Sequence, residues 1–391
     1  MTVIKNVYPV YPNYVGELSD IRVEGKFIKD IIPAAGGANH ESAQITDGAF
    51  SYASPGFIDL HCHGGGGYDF SDASVEAFEN IAKFHASFGA TVIYPTLPAV
   101  SRENMIDFLD AFESYESRGR KEGAYYPGVH MEGPYFSPSQ KGAQDIRYIK
   151  EPDLEEADFM LSKYPFIKRW SSAPEIKGGL ELGRILEKRG VLCSIAHSDA
   201  IYSQAAEAFN NGYTHITHLY SGMEGVRRIN AFRFGGVVEA AFLIDGMTVE
   251  IIADGRHLPP ELLKLIYKIK GPDATALVTD AIRAAGLPEG PSRLGSAENG
   301  QDVIIEDNVA KLPDRSAFAG SVATCDRLLR VMIQEAGVPL CDAVKMLTLT
   351  PAKIMGIQKD FGSLTSGKYA DVVLFDKEIN VSKVIIQGKI F

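Results

Sequence analysis

Eight short apolar, β-branched runs recur along the chain with helix-spaced stretches between them, and this alternation limits its possible folds more than any other feature. The runs lie at 57–62 (FIDLHC), 91–96 (TVIYPT), 127–132 (PGVHME), 168–173 (KRWSSA), 191–197 (VLCSIAH), 214–219 (THITHL), 248–253 (TVEIIA) and 274–280 (ATALVTD). Between them apolar residues fall at helical spacing: Val75, Phe78, Ile81, Ala82 and His85 mark one face, and Leu262, Leu263, Ile266 and Ile269 another. Strands apolar on both faces need cover on both sides, as in a parallel sheet clothed by helices. Eight strand–helix units suit an α/β fold of the closed (β/α)8 TIM-barrel type.

At 391 residues the chain has length for such a barrel and a smaller domain. The ends read differently from the middle, with short alternating segments such as IRVEGKFIKDIIP near the start and VVLFDKEINVSKVIIQGKIF at the close. Residues 1–54 and 357–391 are therefore expected to pair into one small β-sandwich domain, beside a barrel of 55–356. Lys and Arg number 39 against 50 Asp and Glu, a net charge of −11 with no long basic block, which argues against nucleic acid and anionic lipid as partners. No apolar run reaches the roughly 18–20 residues of a membrane helix. Four scattered cysteines without a C-x-x-C pair, and a start lacking leader-peptide features, point to the cytoplasm.

In a barrel of this kind catalytic groups gather at the carboxyl ends of the strands. His61 and His63 end the first run, Glu132 the third, His197 the fifth, His218 the sixth and Asp280 the eighth, so six reactive side chains are expected on one rim. Alternate strand residues point to the same side, which turns both His61 and His63 inward. Imidazoles with carboxylates make a ligand set suited to Zn²⁺ or Fe²⁺ and ill suited to Mg²⁺ or Ca²⁺. The glycines at 64–67 permit a sharp turn and are expected to leave room for substrate beside the metal. His85 on an apolar helix face and His40 in a polar loop read as structural or solvated. His130 shares the face of Glu132, as a ligand or as support for one. His215, three residues from His218, should face away from it.

These residues also carry a resemblance. The runs PGFIDLHCHG, GVHMEGPYFSPSQKGAQD, SIAHSDA, THLYSGM, IIADGRH, LVTDA and FAGS, with the closing GSLTSGKYADVVLFD, resemble the N-acetylglucosamine-6-phosphate deacetylase family of the amidohydrolase superfamily, in order and over essentially the whole chain. The resemblance implies an amide hydrolase that converts N-acetylglucosamine 6-phosphate to glucosamine 6-phosphate and acetate. The galactosamine epimer, an unphosphorylated sugar or another amide stay open as substrates. It implies Glu132, His197 and His218 as ligands of one divalent ion, zinc or iron, and a second ion at His61 and His63 bridged by Glu132, so one or two ions per subunit. Asp280 would take a proton from the attacking water and pass it to the departing amine. A sugar-phosphate-binding protein without turnover would have no use for that acid/base.

The same resemblance places His257, the Ser221 and Gly222 backbone, Ala143, Gln144, Ala319 and Gly320 at the substrate, with a loop-stabilising hydrogen bond as the other reading of His257. It also implies a homodimer in which an arginine crosses the interface to bind phosphate. This chain departs from the family pattern in three places. HLYSGM stands for the usual HLYNAM, and EGVRRINAFRFGG replaces R-E-P-G, leaving Arg227, Arg228 and Arg233 as competing phosphate ligands. KGAQ puts the amide of Gln144 where the family has an imidazole, so that group can donate a hydrogen bond but carry no proton. Residues 284–300, rich in Gly, Pro and Ser, read equally as a lid or a surface loop.

Overall fold

The computed structural model describes residues 2–34, 44–119 and 121–391; His40 lies outside them. All eight runs form strands of one parallel sheet: β1 (Phe57–Cys62), β2 (Ala90–Leu97), β3 (Val129–Glu132), β4 (Ile167–Ser172), β5 (Leu192–Ile195), β6 (Tyr213–Ile216), β7 (Thr248–Ile252) and β8 (Thr275–Val278). The sheet closes on itself beyond β8, where Asp280 N donates to His61 O and His63 N to Ala281 O, both at 2.8 Å. Every residue of β1 and β2 is buried, as a strand covered on both faces requires. Helix Val75–Ala86 starts where the Ser74 side chain accepts from Ala77 N, and it buries Phe78, Ile81, Ala82 and His85. Helix Pro260–Lys270 buries Leu263 and Ile266 but leaves Ile269 exposed, so the second periodic face is narrower than its sequence implies. Among the described residues no helix is long and apolar enough to cross a membrane.

Three strands stop two or three residues earlier than their apolar runs. β5 ends at Ile195, β6 at Ile216 and β8 at Val278, so His197, His218 and Asp280 each stand two residues past a strand end. All three have left-handed backbones, with φ of 45°, 29° and 49°. That conformation costs a non-glycine residue about 1–3 kcal/mol and persists only where its surroundings enforce it. Side-chain alternation ends with the strand, which corrects the reading of His215. It points into the barrel, its Nε2 3.4 Å from Glu250 Oε2, although His218 also turns inward.

The glycines after β1 correct a second expectation. Gly64–Gly65 pairs with Tyr68–Asp69 across a turn at Gly66 and Gly67, whose φ values are 62° and 93°. A Cβ on Gly64 would come within 2.3 Å of Tyr68 O, and one on Gly65 within 2.5 Å of Phe84. The small residues thus serve the turn and close packing, and Phe84 and His85 fill the space expected for substrate. Residues 284–300 are likewise not a plain surface loop. They enter an antiparallel meander of Gly290–Leu294, Gln301–Glu306 and Val309–Lys311, whose core includes Ile282, Leu294, Val303 and Ala319.

Strands from both ends of the chain share a second sheet. Thr2–Pro9 pairs with Ser19–Glu24 through its first half and with Tyr52–Pro55 through its last residues, and Tyr52–Pro55 pairs in turn with Val372–Phe375. Ile4, Val7, Ile21, Val23, Val372, Leu374 and Ile385 form its core. Asp371 sits where this sheet meets the barrel, its carbonyl accepting from Gly56 N and its Oδ1 from Gln387 N at 2.7 Å. Burial raises its pKa to about 6. A raised acid stabilises the fold when protonated, and that contribution is lost as pH rises from about 4 through 6. Asp371→Asn should therefore gain on the wild type in urea unfolding by about 2–3 kcal/mol between pH 4 and pH 8. A gap that does not change with pH would show that the carboxyl is ionised in the folded protein at no cost.

Candidate metal centre

Two groups of potential ligands meet at the carboxyl rim of the barrel, one of His61, His63 and Glu132 and the other of Glu132, His197 and His218, with the donor atoms of each within 4.8 Å of one another. All five side chains are buried, and so is Asp280. Glu132 is the shared member: its Oε1 lies 3.0 Å from His218 Nε2, 3.4 Å from His197 Nε2 and 3.5 Å from His61 Nε2, while its Oε2 lies 3.4 Å from His63 Nε2. Asp280 Oδ1 approaches from β8, 3.1 Å from His63 Nε2 and 3.4 Å from His61 Nε2.

The outer nitrogens show how this set is held. Nδ1 of His61 faces Glu250 Oε1 at 2.8 Å, that of His63 faces Thr96 O at 3.2 Å, and that of His197 faces Gln140 O at 2.8 Å. Each partner can only accept, so in the neutral imidazole each Nδ1 carries the hydrogen and each Nε2 presents a lone pair to the centre. Nδ1 of His218 meets no partner among the described residues. Four imidazole nitrogens converging on a carboxylate, three of the rings with their hydrogens turned outward, fit a borderline divalent ion. Charge tells the same story. Burial drives the His61 imidazole toward its neutral form, yet Glu132, Asp280 and Glu250 outweigh it and raise the pKa to about 9. Burial likewise pushes the Glu132 and Asp280 carboxyls up, and the surrounding imidazoles hold both below their ordinary range. The cluster thus demands positive charge at its centre, which protons or a cation can supply.

A cleft of about 270 Å³ opens on the cluster and is walled by Gly142–Gln144, Tyr220–Gly222, His257, Phe318 and Gly320. Ala143, Gln144, Ser221, Gly222, His257 and Gly320 therefore stand together as the sequence suggests. Ala319 does not join them; it packs into the core of the meander. Gly222 (φ 61°) passes so close to His197 that a Cβ there would be 2.7 Å from Nδ1. His257 Nδ1 donates to Asp254 Oδ2 at 2.9 Å, leaving Nε2 for other partners. His130 is no ligand: it bridges Thr96 Oγ1 and Ser171 Oγ at 3.1 and 2.7 Å and packs edge-on against His61. Arg227 is engaged by Asp199, through Nη1 at 2.5 Å to the carboxylate and Nη2 to the backbone carbonyl. Arg228 and Arg233 lie outside the cleft on an exposed hairpin, directly opposite each other.

Gln144 holds the shared carboxylate. Its Nε2 donates to Glu132 Oε2 at 2.8 Å while its Oε1 accepts from Ala99 N at 2.8 Å. Three residues escaped the sequence reading altogether: Glu250, Arg169 and Thr217, which lie beneath the histidines. The available signal for the first two was a charged residue at an inward position of a strand, Glu250 within TVEIIA and Arg169 within KRWSSA, which is unfavourable unless paired; Thr217 carried none.

The amidohydrolase family model matches residues 52–391. The chain belongs to the amidohydrolase family. It is 32% identical to the N-acetylglucosamine-6-phosphate deacetylase of Lysinibacillus sphaericus, over 99% of this chain and 97% of that protein. It is also 32% identical to the N-acetylgalactosamine-6-phosphate deacetylase of Escherichia coli O157:H7, over 86% of each chain. The crystal structure of N-acetylglucosamine-6-phosphate deacetylase from Pasteurella multocida superposes on all of this chain and 99% of its own, with a TM-score of 0.91 at 27% identity. Families of amidohydrolases are generally metal-dependent, and the ligand groups at the rim agree with that.

Gln144→Ala should leave Glu132 Oε2 without its donor and weaken metal retention about tenfold, read as metal content after dialysis against a chelator. Unchanged retention would show that the imidazoles alone orient Glu132.

Proposed function

We propose that this protein is a metal-dependent deacetylase of an N-acetylated hexosamine 6-phosphate, with N-acetylglucosamine 6-phosphate as its substrate and zinc or iron as its metal. The observation that carries the reading is the position of Asp280. Its carboxylate stands in a cleft within 3.4 Å of both first-cluster histidines and is held ionised by them against its burial. Glu132, His197 and His218 would hold one ion, and His61 and His63 with Glu132 a second. A bound divalent ion supplies an acidified water and a polarised carbonyl at neutral pH.

Asp280 then accepts the proton released as the water oxygen bonds to the acetyl carbon. It delivers that proton to the amide nitrogen, so that the C–N bond breaks to give acetate and the free amine. Asp254 orients His257 toward the sugar, and the Ser221 and Gly222 backbone lines the same cleft.

The phosphate ligand is assigned by elimination among the three arginines. Arg227 already pairs with Asp199, whereas Arg228 and Arg233 are cross-strand neighbours with no carboxylate partner among the described residues. Like charges placed opposite each other are unfavourable until an anion joins them. The same hairpin exposes Phe232 at 74% and Val226 at 61%, an apolar surface that a second copy of the chain would cover. We assign Arg228 and Arg233 to the phosphate site of the partner in a homodimer. The galactosamine epimer is the second reading, favoured by the equal identity to a deacetylase of that name.

The test is acetate release from both N-acetylhexosamine 6-phosphates and from unphosphorylated N-acetylglucosamine, with protein loaded with Zn²⁺ or Fe²⁺ and with a metal-free control. Metal-dependent release from the glucosamine phosphate is expected. It should fall at least a hundredfold in Asp280→Asn, and KM for the phosphorylated substrate alone should rise in Arg233→Ala. Release from the epimer only would move the substrate. No release from any of the three by metal-loaded protein would overturn the reading.

A further inference from the structure

A buried ion pair lies directly beneath the histidine cluster. Glu250 in β7 and Arg169 in β4 are both fully buried, and Arg169 Nη1 donates to Glu250 Oε2 at 2.5 Å. Barrel interiors are filled by apolar side chains, and a buried pair recovers its desolvation cost only when all its polar atoms are satisfied. Here they are. Glu250 Oε1 accepts from His61 Nδ1 at 2.8 Å and from His218 N at 3.2 Å. Arg169 spends its remaining donors on Leu60 O, Ser194 Oγ and Thr217 Oγ1.

One oxygen of Glu250 thus touches a ligand from each metal group, His61 through its ring and His218 through its backbone. The other cluster histidines with a held Nδ1, His63 and His197, use neutral backbone carbonyls for that purpose. His61 alone among these three leans on a charged side chain, and the strand that carries it is also tied to Arg169 through Leu60 O. A carboxylate partner fixes the tautomer of a ligating imidazole and increases its donor strength.

We infer that Glu250, clamped by Arg169, is a positioning residue for the ion at His61 and His63, holding Nε2 of His61 toward the centre and linking that site to the one at His218. The inference rests on the two-ion reading given above. In Glu250→Gln the amide oxygen must serve either Arg169 or His61. If Arg169 takes it, the amide NH₂ faces two N–H donors, and His61 loses the acceptor that sets its tautomer.

The experiment is Co²⁺ titration of the full-length metal-free protein, followed by absorption and by competition with a chelator, beside a thermal melt of each metal-free variant. The wild type should take up two ions. Glu250→Gln should lose less than tenfold in affinity for the first, whose His218 it touches only through the backbone N–H, and bind the second ten- to a hundredfold more weakly. Should that variant fail to fold, Arg169→Met combined with Glu250→Leu removes both charges together and should show the same selective loss. Two ions bound with wild-type affinity by a folded Glu250→Gln protein, or by the folded double variant, would overturn the inference. A wild type that takes up a single ion would overturn the two-ion reading and this inference with it, and is distinguished from the other failure by being seen before any substitution is made.

Discussion

A carboxylate buried at the rim of a barrel stays ionised only if positive charge or hydrogen-bond donors are packed around it, and Glu132 meets that demand with four imidazoles and an amide. His61 and His63 reach it from β1, His197 and His218 from the loops after β5 and β6, and Gln144 from the loop after β3. The arrangement accounts for much else in the structure. The left-handed backbones of His197, His218 and Asp280 aim side chains that stand beyond the strands back over the barrel mouth. Their strain is offset by the closing hydrogen bonds around them, such as Asp280 N to His61 O.

Beneath the rim the barrel departs from apolar filling in one layer. Arg169, Glu250, Thr217, Ser171, His130 and His215 form a buried polar network in which burial pushes both imidazoles toward the neutral form, His215 to about 4. Such a network is costly unless complete, and once complete it is stiff. Stiffness is what a metal site needs from the layer below it, since ligands held in place lose little freedom when the ion enters.

The fold was legible in the sequence for a simple reason. Strands covered on both faces announce themselves as continuous β-branched runs, and the groups that interrupt those runs at their ends announce the site. His61, His63, Glu132, His197, His218 and Asp280 could be placed together from position alone. What could not be read was anything that depends on backbone beyond a strand end. The φ values of His197 and His218 have no signature in SIAHSDA or THLYSGM, so the facing of His215 came out reversed. The glycines of HCHGGGG were legible as a turn, but their contacts with Phe84 and His85 are tertiary. Arg169 and Glu250 are 81 residues apart, and each by itself looks like a flaw in a strand. Gln144 lies in a loop without periodicity, and only the folded chain shows that its amide meets Glu132.

The most direct test of the account is anomalous diffraction from crystals of the zinc-loaded protein, recorded on both sides of the zinc absorption edge. The strongest peak should lie within bonding distance of Glu132, His197 and His218, and a second beside His61 and His63. Zinc found elsewhere, with these five side chains bonded only to one another and to water, would contradict it.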